Sequence, residues 1–377
     1  MSQPIKSLDR LYSLDILRGL ASLCVVFWHW QHFFIGTALK STFKITDQPL
    51  FNIFFLFYNS GDLAVDLFFS LSGFIFFWLY PQRIYQDIVS AKDFFLLRFS
   101  RLYPLHFLTL IIVALGQLCS SKILGSTFVY KENDMFHFIL NLFFASSVGL
   151  EQGYSFNAPI WSVSVECCLY SIFFILCKFL KPNIFIVSIL SLIGFPIMYQ
   201  VYNPIGRGIC SFFLGGFIYY LYIYILKSNK RKIVLNLFIL LSAFLWLTTI
   251  YWSFNNWSLN LLIGVPLGSK YAILVLFPIT ILTLAIFETE YGIPTKKMAF
   301  VGDISYSLYL WHFPLQLLFA LTASLIGVDL VIFKSPTILF GFFCSLIIIS
   351  LMSYHYIEVP LQRYLRSHLI ISSRHKI

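Results

Sequence analysis

Two histidines, three arginines and two carboxylates stand in stretches of this chain where charge has least use, and their spacing suggests chemistry. Arg18 and His29 are eleven residues apart, about three turns of an α-helix, which puts them on one face and roughly 16 Å apart along its axis. An imidazole titrates near neutral pH and suits proton or acyl transfer. Arg98 and Arg101, at i and i+3, can converge on one anion, because guanidinium forks grip phosphate in bidentate fashion. Their plainer role is to anchor the chain at the membrane surface. Glu166 lies a few turns into the stretch that opens Pro159-Ile-Trp161-Ser-Val-Ser164, and Asp66 lies about a turn into another apolar stretch. His312 closes Ser305-Tyr-Ser-Leu-Tyr309-Leu-Trp. For Asp66, Glu166 and His312 the plainer role is a hydrogen-bonded contact between helices, whereas ionisable groups at membrane depth are functional candidates by default. His32, one turn beyond His29, reads as interfacial.

The elements that hold these residues follow from composition. Of 377 residues, 59 % are hydrophobic and 11 % charged, against about 45–50 % and 25 % in a soluble domain. With 43 Phe, 22 Tyr and 8 Trp, the chain reads as an all-α polytopic integral membrane protein. A span needs about 20 apolar residues, and the runs free of Asp, Glu, Lys and Arg, with three lightly charged ones, predict ten spans near 14–36, 61–80, 102–120, 158–180, 183–202, 208–226, 233–251, 271–287, 304–325 and 336–356. Arg98 and Arg101 then fall in the loop before the third span, with Pro104 in its first turn. The stretch 136–148 is short for a crossing and reads as a re-entrant or interfacial helix, or as an eleventh span. The seven Cys are scattered without CxxC spacing and read as small buried hydrophobes, so no metal site is expected.

Ten spans with a cytoplasmic N-terminus put 19 of the 26 Lys and Arg on the cytoplasmic side and 7 outside, as the positive-inside rule requires. The net charge of +10 is thereby divided among short loops and forms no nucleic-acid-binding face. Asp15, Arg18 and His29 exclude a cleavable signal peptide. Residues 1–377 read as one membrane-embedded domain ending in a short basic cytoplasmic tail.

The motifs Leu14-Asp15-Ile-Leu-Arg18-Gly19 with His29, Val65-Asp66-Leu-Phe-Phe-Ser-Leu-Ser-Gly73, Arg98-Phe-Ser-Arg101-Leu-Tyr-Pro104, Trp161-Ser-Val-Ser164-Val-Glu166 and Ser305-Tyr-Ser-Leu-Tyr309-Leu-Trp-His312 occur in that order. Together, over about residues 8–360, the chain resembles the membrane-bound acyltransferase family 3, whose bacterial members O-acetylate cell-surface sugars. The resemblance implies that Arg18 and His29 match the family's Arg-x10-His motif, with His29 catalytic. It also implies that Arg98 and Arg101 match its Arg-x-x-Arg motif, associated with the acyl donor. Glu166 is carried over as a second catalytic candidate, and Asp66, Trp161, Ser164, Tyr309 and His312 as supporting residues. The family's Trp-Ser-Leu-Ser-x-Glu-Glu stretch is broken here, where Cys167 follows Glu166. Many members carry an extracytoplasmic hydrolase-like domain, which is not expected in this chain.

The implied reaction is transfer of an acyl group, acetyl first, from cytoplasmic acyl-coenzyme A to a hydroxyl of O-antigen, capsule, exopolysaccharide or a similar carbohydrate or lipid-linked glycan. No permanently bound cofactor is expected, acetyl-CoA being a co-substrate. The other expected partners are the lipid bilayer of the bacterial inner membrane and glycan-assembly proteins. His29 would act as general base, the reading preferred because it needs a single ternary geometry, or would form an acyl-imidazole. The rival class is a transporter or flippase of glycan precursors with a midplane His/Glu proton relay. The lack of an internal repeat between spans 1–5 and 6–10 speaks against it.

Overall fold

Caps and prolines set where the helices begin and bend. The computed structural model describes residues 9–35, 43–254, 267–292 and 296–369. Helix α1 is Tyr12–His29, and its first turn is closed from afar: the Glu288 carboxylate accepts the Tyr12 and Ser13 backbone N–H groups at 2.9 and 2.8 Å and the Ser13 hydroxyl at 2.7 Å. A carboxylate there meets the orphan donors and the positive end of the helix dipole. Among the described residues nine further helices are long and apolar enough to cross a bilayer: α2 Phe51–Leu79, α3 Ala91–Ile123, α5 Ala158–Phe179, α6 Ile184–Val201, α7 Asn203–Leu226, α8 Arg231–Tyr251, α9 Gly268–Tyr291, α10 Ser305–Leu325 and α11 Pro336–Leu369. They answer nine of the ten predicted segments and give an all-α polytopic architecture; α1, which carries Asp15 and Arg18 in its 18 residues, is not among the helices apolar enough to cross. The 136–148 stretch contains only α4, Met135–Leu142, about 12 Å long at 1.5 Å per residue, which cannot span.

Helix α3 differs from the expected layout. It begins at Ala91, where the Ser90 hydroxyl caps the Asp93 N–H at 3.1 Å and donates to the Asp93 carboxylate at 2.8 Å. Arg98 and Arg101 are therefore helical, and Pro104 lies inside the helix. The local cap outweighs the charges that made 91–101 look like a loop. Each of three π turns abuts a proline: Ile197–Val201 follows Pro196, Ala272–Leu276 precedes Pro278 and Tyr354–Glu358 precedes Pro360. Proline lacks the donor of a regular turn, and the wider turn absorbs the break.

The fold contains two compact units. The first takes Met1–Val25, Phe55–Gln86 and Leu169–Asp303, and the second Val26–Phe54, Asp87–Cys168 and Ile304–Ile377. Within the first, α2 and α7 approach so closely that a Cβ on Gly73 would lie 1.8 Å from the Phe212 carbonyl oxygen, and one on Gly215 2.0 Å from that of Ser70. The Ser70 hydroxyl donates to the Ser211 carbonyl across this seam at 3.1 Å. Small residues that let backbones touch are the usual source of helix association where lipid supplies no hydrophobic drive. Within the second unit, α3 packs on α10, Tyr306 donates to the Leu102 carbonyl at 2.7 Å, and Trp30 donates from its indole to the Phe333 carbonyl at 3.0 Å.

Candidate functional site

The second unit gathers three imidazoles. Helix α1 ends at His29 and a short turn, His32–Ile35, follows, while His312 comes from α10. The His29 ring centroid is 4.7 Å from that of His312 and 4.8 Å from that of His32. All three are buried, His312 completely.

Hydrogen-bond logic assigns the tautomers. Gln316 Nε2 donates to the His29 carbonyl at 2.9 Å, which leaves its Oε1 to accept from His32 Nδ1 at 3.1 Å. His32 Nδ1 therefore carries the proton, and its Nε2 faces the Tyr130 hydroxyl at 3.3 Å as acceptor. His312 Nδ1 lies 2.6 Å from the Tyr309 carbonyl of its own helix. A carbonyl only accepts, so this nitrogen too is protonated, and His312 Nε2 is left with a lone pair. That atom is buried without a hydrogen-bond partner among the described residues. One wall of the cluster is rigid: the Tyr309 hydroxyl donates to the Pro159 carbonyl at 2.6 Å and meets the Ser162 hydroxyl at 2.8 Å. Asn157 Nδ2 donates to the Leu310 carbonyl at 3.2 Å.

The other predicted residues are distributed as follows. Ser164, fully buried on α5, accepts the Ser147 N–H at 3.1 Å and so ties the preceding loop to the helix. Trp161 and Glu166 are half-buried on the same helix. On α3, the Arg98 guanidinium lies 5.7 Å from the Phe94 ring. Ser100, between Arg98 and Arg101, accepts Arg366 Nε from α11 at 3.3 Å. The second unit thus holds His29 at the end of α1, Arg98 and Arg101 on α3, Trp161, Ser164 and Glu166 on α5, and Tyr309 and His312 on α10. Arg18 and Asp66 belong to the first unit. There Arg18 donates to Asp15 at 2.9 Å and to the Gly302 carbonyl at 3.0 Å. Asp66, with no exposed surface, takes Arg207 Nη2 at 2.5 Å and Nε at 3.3 Å, with the Ser211 hydroxyl also at 3.3 Å.

Several residues of the site had no place in the sequence reading. His32, whose part in the cluster the sequence did not suggest, is one of its buried members. Gln316 stands one turn after His312, on the same face of α10, but an amide leaves no mark in a search for charges. Glu358, in the π turn of α11, is buried, accepts the Ser307 hydroxyl and feels the Arg101 charge. It closes the uncharged run 335–357, the one signal that could have found it. His106 donates from Nε2 to the Asn141 carbonyl at 2.8 Å and ties α4 to α3.

A second cluster lies near α4, where ligand atoms of Glu132, Asp134 and His137 fall within 4.8 Å of one another. Both nitrogens of His137 are committed, Nδ1 donating to Asp134 at 2.8 Å and Nε2 accepting the Gln152 N–H at 3.1 Å. Asp134 caps the helix through the His137 N–H at 2.8 Å. These donors hold its carboxyl below the usual carboxylate range. The arrangement is a helix cap.

The site thus consists of buried imidazoles and helical arginines in an all-α fold with helices long and apolar enough to cross a membrane. The family model described as an acyltransferase domain matches residues 11–355, and the chain belongs to that family. Among curated relatives, O-acetyltransferase OatA of Staphylococcus aureus is 21 % identical over 393 residues, which cover 96 % of this chain and 60 % of that protein. ORF330 of Acidianus two-tailed virus, an acetyltransferase by provisional name, is 27 % identical over 83 % of this chain and 85 % of its own. Protein 2 in picA locus of Rhizobium radiobacter is 34 % identical over 111 residues, 29 % of this chain and 48 % of that one. The chain thus spans from about half to 85 % of the length of these relatives. No solved structure matches it.

Proposed function

We propose that this protein is an O-acyltransferase. It takes an acyl group, acetyl first, from cytoplasmic acyl-coenzyme A and delivers it to a hydroxyl of a cell-surface or exported carbohydrate. The observation that carries the reading is the three-imidazole cluster buried in a membrane fold of this family, with one ring nitrogen left bare. A bare imidazole nitrogen is the group a hydroxyl needs to lose its proton as it attacks a thioester. The arginines suit the donor. Coenzyme A carries a pyrophosphate and a 3′-phosphate; Arg98 and Arg101 stand one turn apart on α3, and Arg366 of α11 donates to Ser100 between them at 3.3 Å. The pantetheine arm is long, thin and uncharged, as a passage through helices requires.

His29 handles the thioester side, as proton carrier or as acyl acceptor. The acceptor approaches from the outer face, with the protein in the bacterial inner membrane and both termini in the cytoplasm. The Staphylococcus relative is itself named an O-acetyltransferase. The test uses membranes from expressing cells, which hold the full chain and the endogenous glycans, with radiolabelled acetyl-coenzyme A. Wild type should label the glycan fraction. His29→Gln, which keeps a hydrogen bond but not the proton chemistry, should lose about 10²–10⁴-fold at matched abundance. Arg98→Ala and Arg101→Ala should each raise the donor KM, by the roughly 1.5–3 kcal/mol of a charge-assisted phosphate contact. Glycan that stays unlabelled with wild type sinks the reading.

A further inference from the structure

We infer that His312 is the base that takes the proton from the acceptor hydroxyl, with His29 beside it passing that proton to the departing sulfur. This rests on the acyl-transfer reading above. The assignment comes from geometry. His312 lends Nδ1 to its own helix at 2.6 Å, so the ring is oriented and its tautomer set by a backbone atom, the support a catalytic histidine requires. The opposite nitrogen is buried and unpartnered among the described residues. A buried polar atom left unmatched costs about 1–3 kcal/mol; His106 Nδ1 on α3 is left in the same way, and what sets His312 apart is the second imidazole beside it. His32, the other well-defined ring, has both nitrogens engaged, by Gln316 and Tyr130. It is the scaffold member of the three. The rings of His29 and His312 adjoin at 4.7 Å between centroids, within reach of proton exchange directly or through one water.

In the step itself the hydroxyl oxygen attacks the thioester carbon while its proton moves to His312 Nε2. The oxygen–carbon bond forms, the carbon–sulfur bond breaks with its electron pair on sulfur, and the proton passes through the His29 ring to make the free thiol. Both imidazoles end neutral, as they began. One consequence separates this assignment from a structural role for His312. An asparagine amide at position 312 can still donate to the Tyr309 carbonyl but offers nothing in place of Nε2.

The test is His312→Asn in the same membranes, with acetyl-coenzyme A as donor and the endogenous glycan as acceptor, read as kcat and donor KM, plus a thermal melt of the purified protein. The expected result is a kcat lower by about 10²–10⁴-fold, with the donor KM and the melting temperature unchanged. His312→Gln should be equally inactive. Near-normal kcat in the Asn variant, or a melting temperature well below wild type, would show that the ring serves packing and overturns the assignment. Either result leaves wild-type labelling of the glycan intact, so failure of this inference differs visibly from failure of the function.

Discussion

Pro314 has no N–H to give the Leu310 carbonyl four residues earlier, and Asn157 Nδ2 reaches that orphaned oxygen at 3.2 Å. The amide thereby holds the turn of α10 that carries His312 against the start of α5. Asn157→Ala should lower stability by about 1–3 kcal/mol, the cost of a buried acceptor left unmatched. A melt of the purified protein in detergent checks it, and no change would mean that the carbonyl finds other support. At this scale the chemistry was half legible. His29, Arg98, Arg101 and His312 could be found because charge and imidazole are conspicuous in an apolar run. Gln316 and Asn157, which orient the imidazoles and mend the helix, are neutral, and their value depends on a carbonyl hundreds of residues away or on a proline's missing donor. Only the fold reveals such partners.

At the level of helices, the seam between α2 and α7 is built on Gly73 and Gly215. Gly73→Ala places a carbon 1.8 Å from the Phe212 oxygen, so two backbones must part. Strain of this kind costs typically 1–3 kcal/mol, and more when backbone must move. The melting temperature of the purified variant should fall, whereas the same substitution at Gly341, which meets nothing within 4 Å, should leave it unchanged. Equal melting of the two variants would refute the close seam. Most helices were predicted by length and apolarity, since a bilayer fixes both. The start of α3 was not, because Lys92, Asp93, Arg98 and Arg101 break the uncharged run while Ser90 begins the helix.

For the molecule as a whole, the 19-to-7 division of basic residues predicts the orientation. With the native thiols replaced, a single cysteine placed in the 121–157 segment should react with an impermeant maleimide in intact cells, and one in 227–232 should be protected. The reverse pattern would invert the topology and put the arginines of α3 on the side away from the proposed donor.

Asp66 and Arg207 leave the ribosome 141 residues apart. At about 5–20 residues per second the carboxylate waits roughly 7–28 s for its cation. An aspartate at the centre of a lone helix costs about 2.5–3.5 kcal/mol to insert, so α2 enters the membrane carrying a debt that only α7 settles. Birth order therefore weighs on this fold: until α7 arrives, α2 must keep its aspartate near the headgroups or hold a borrowed proton, and the pairing that locks the seam also ends that wait.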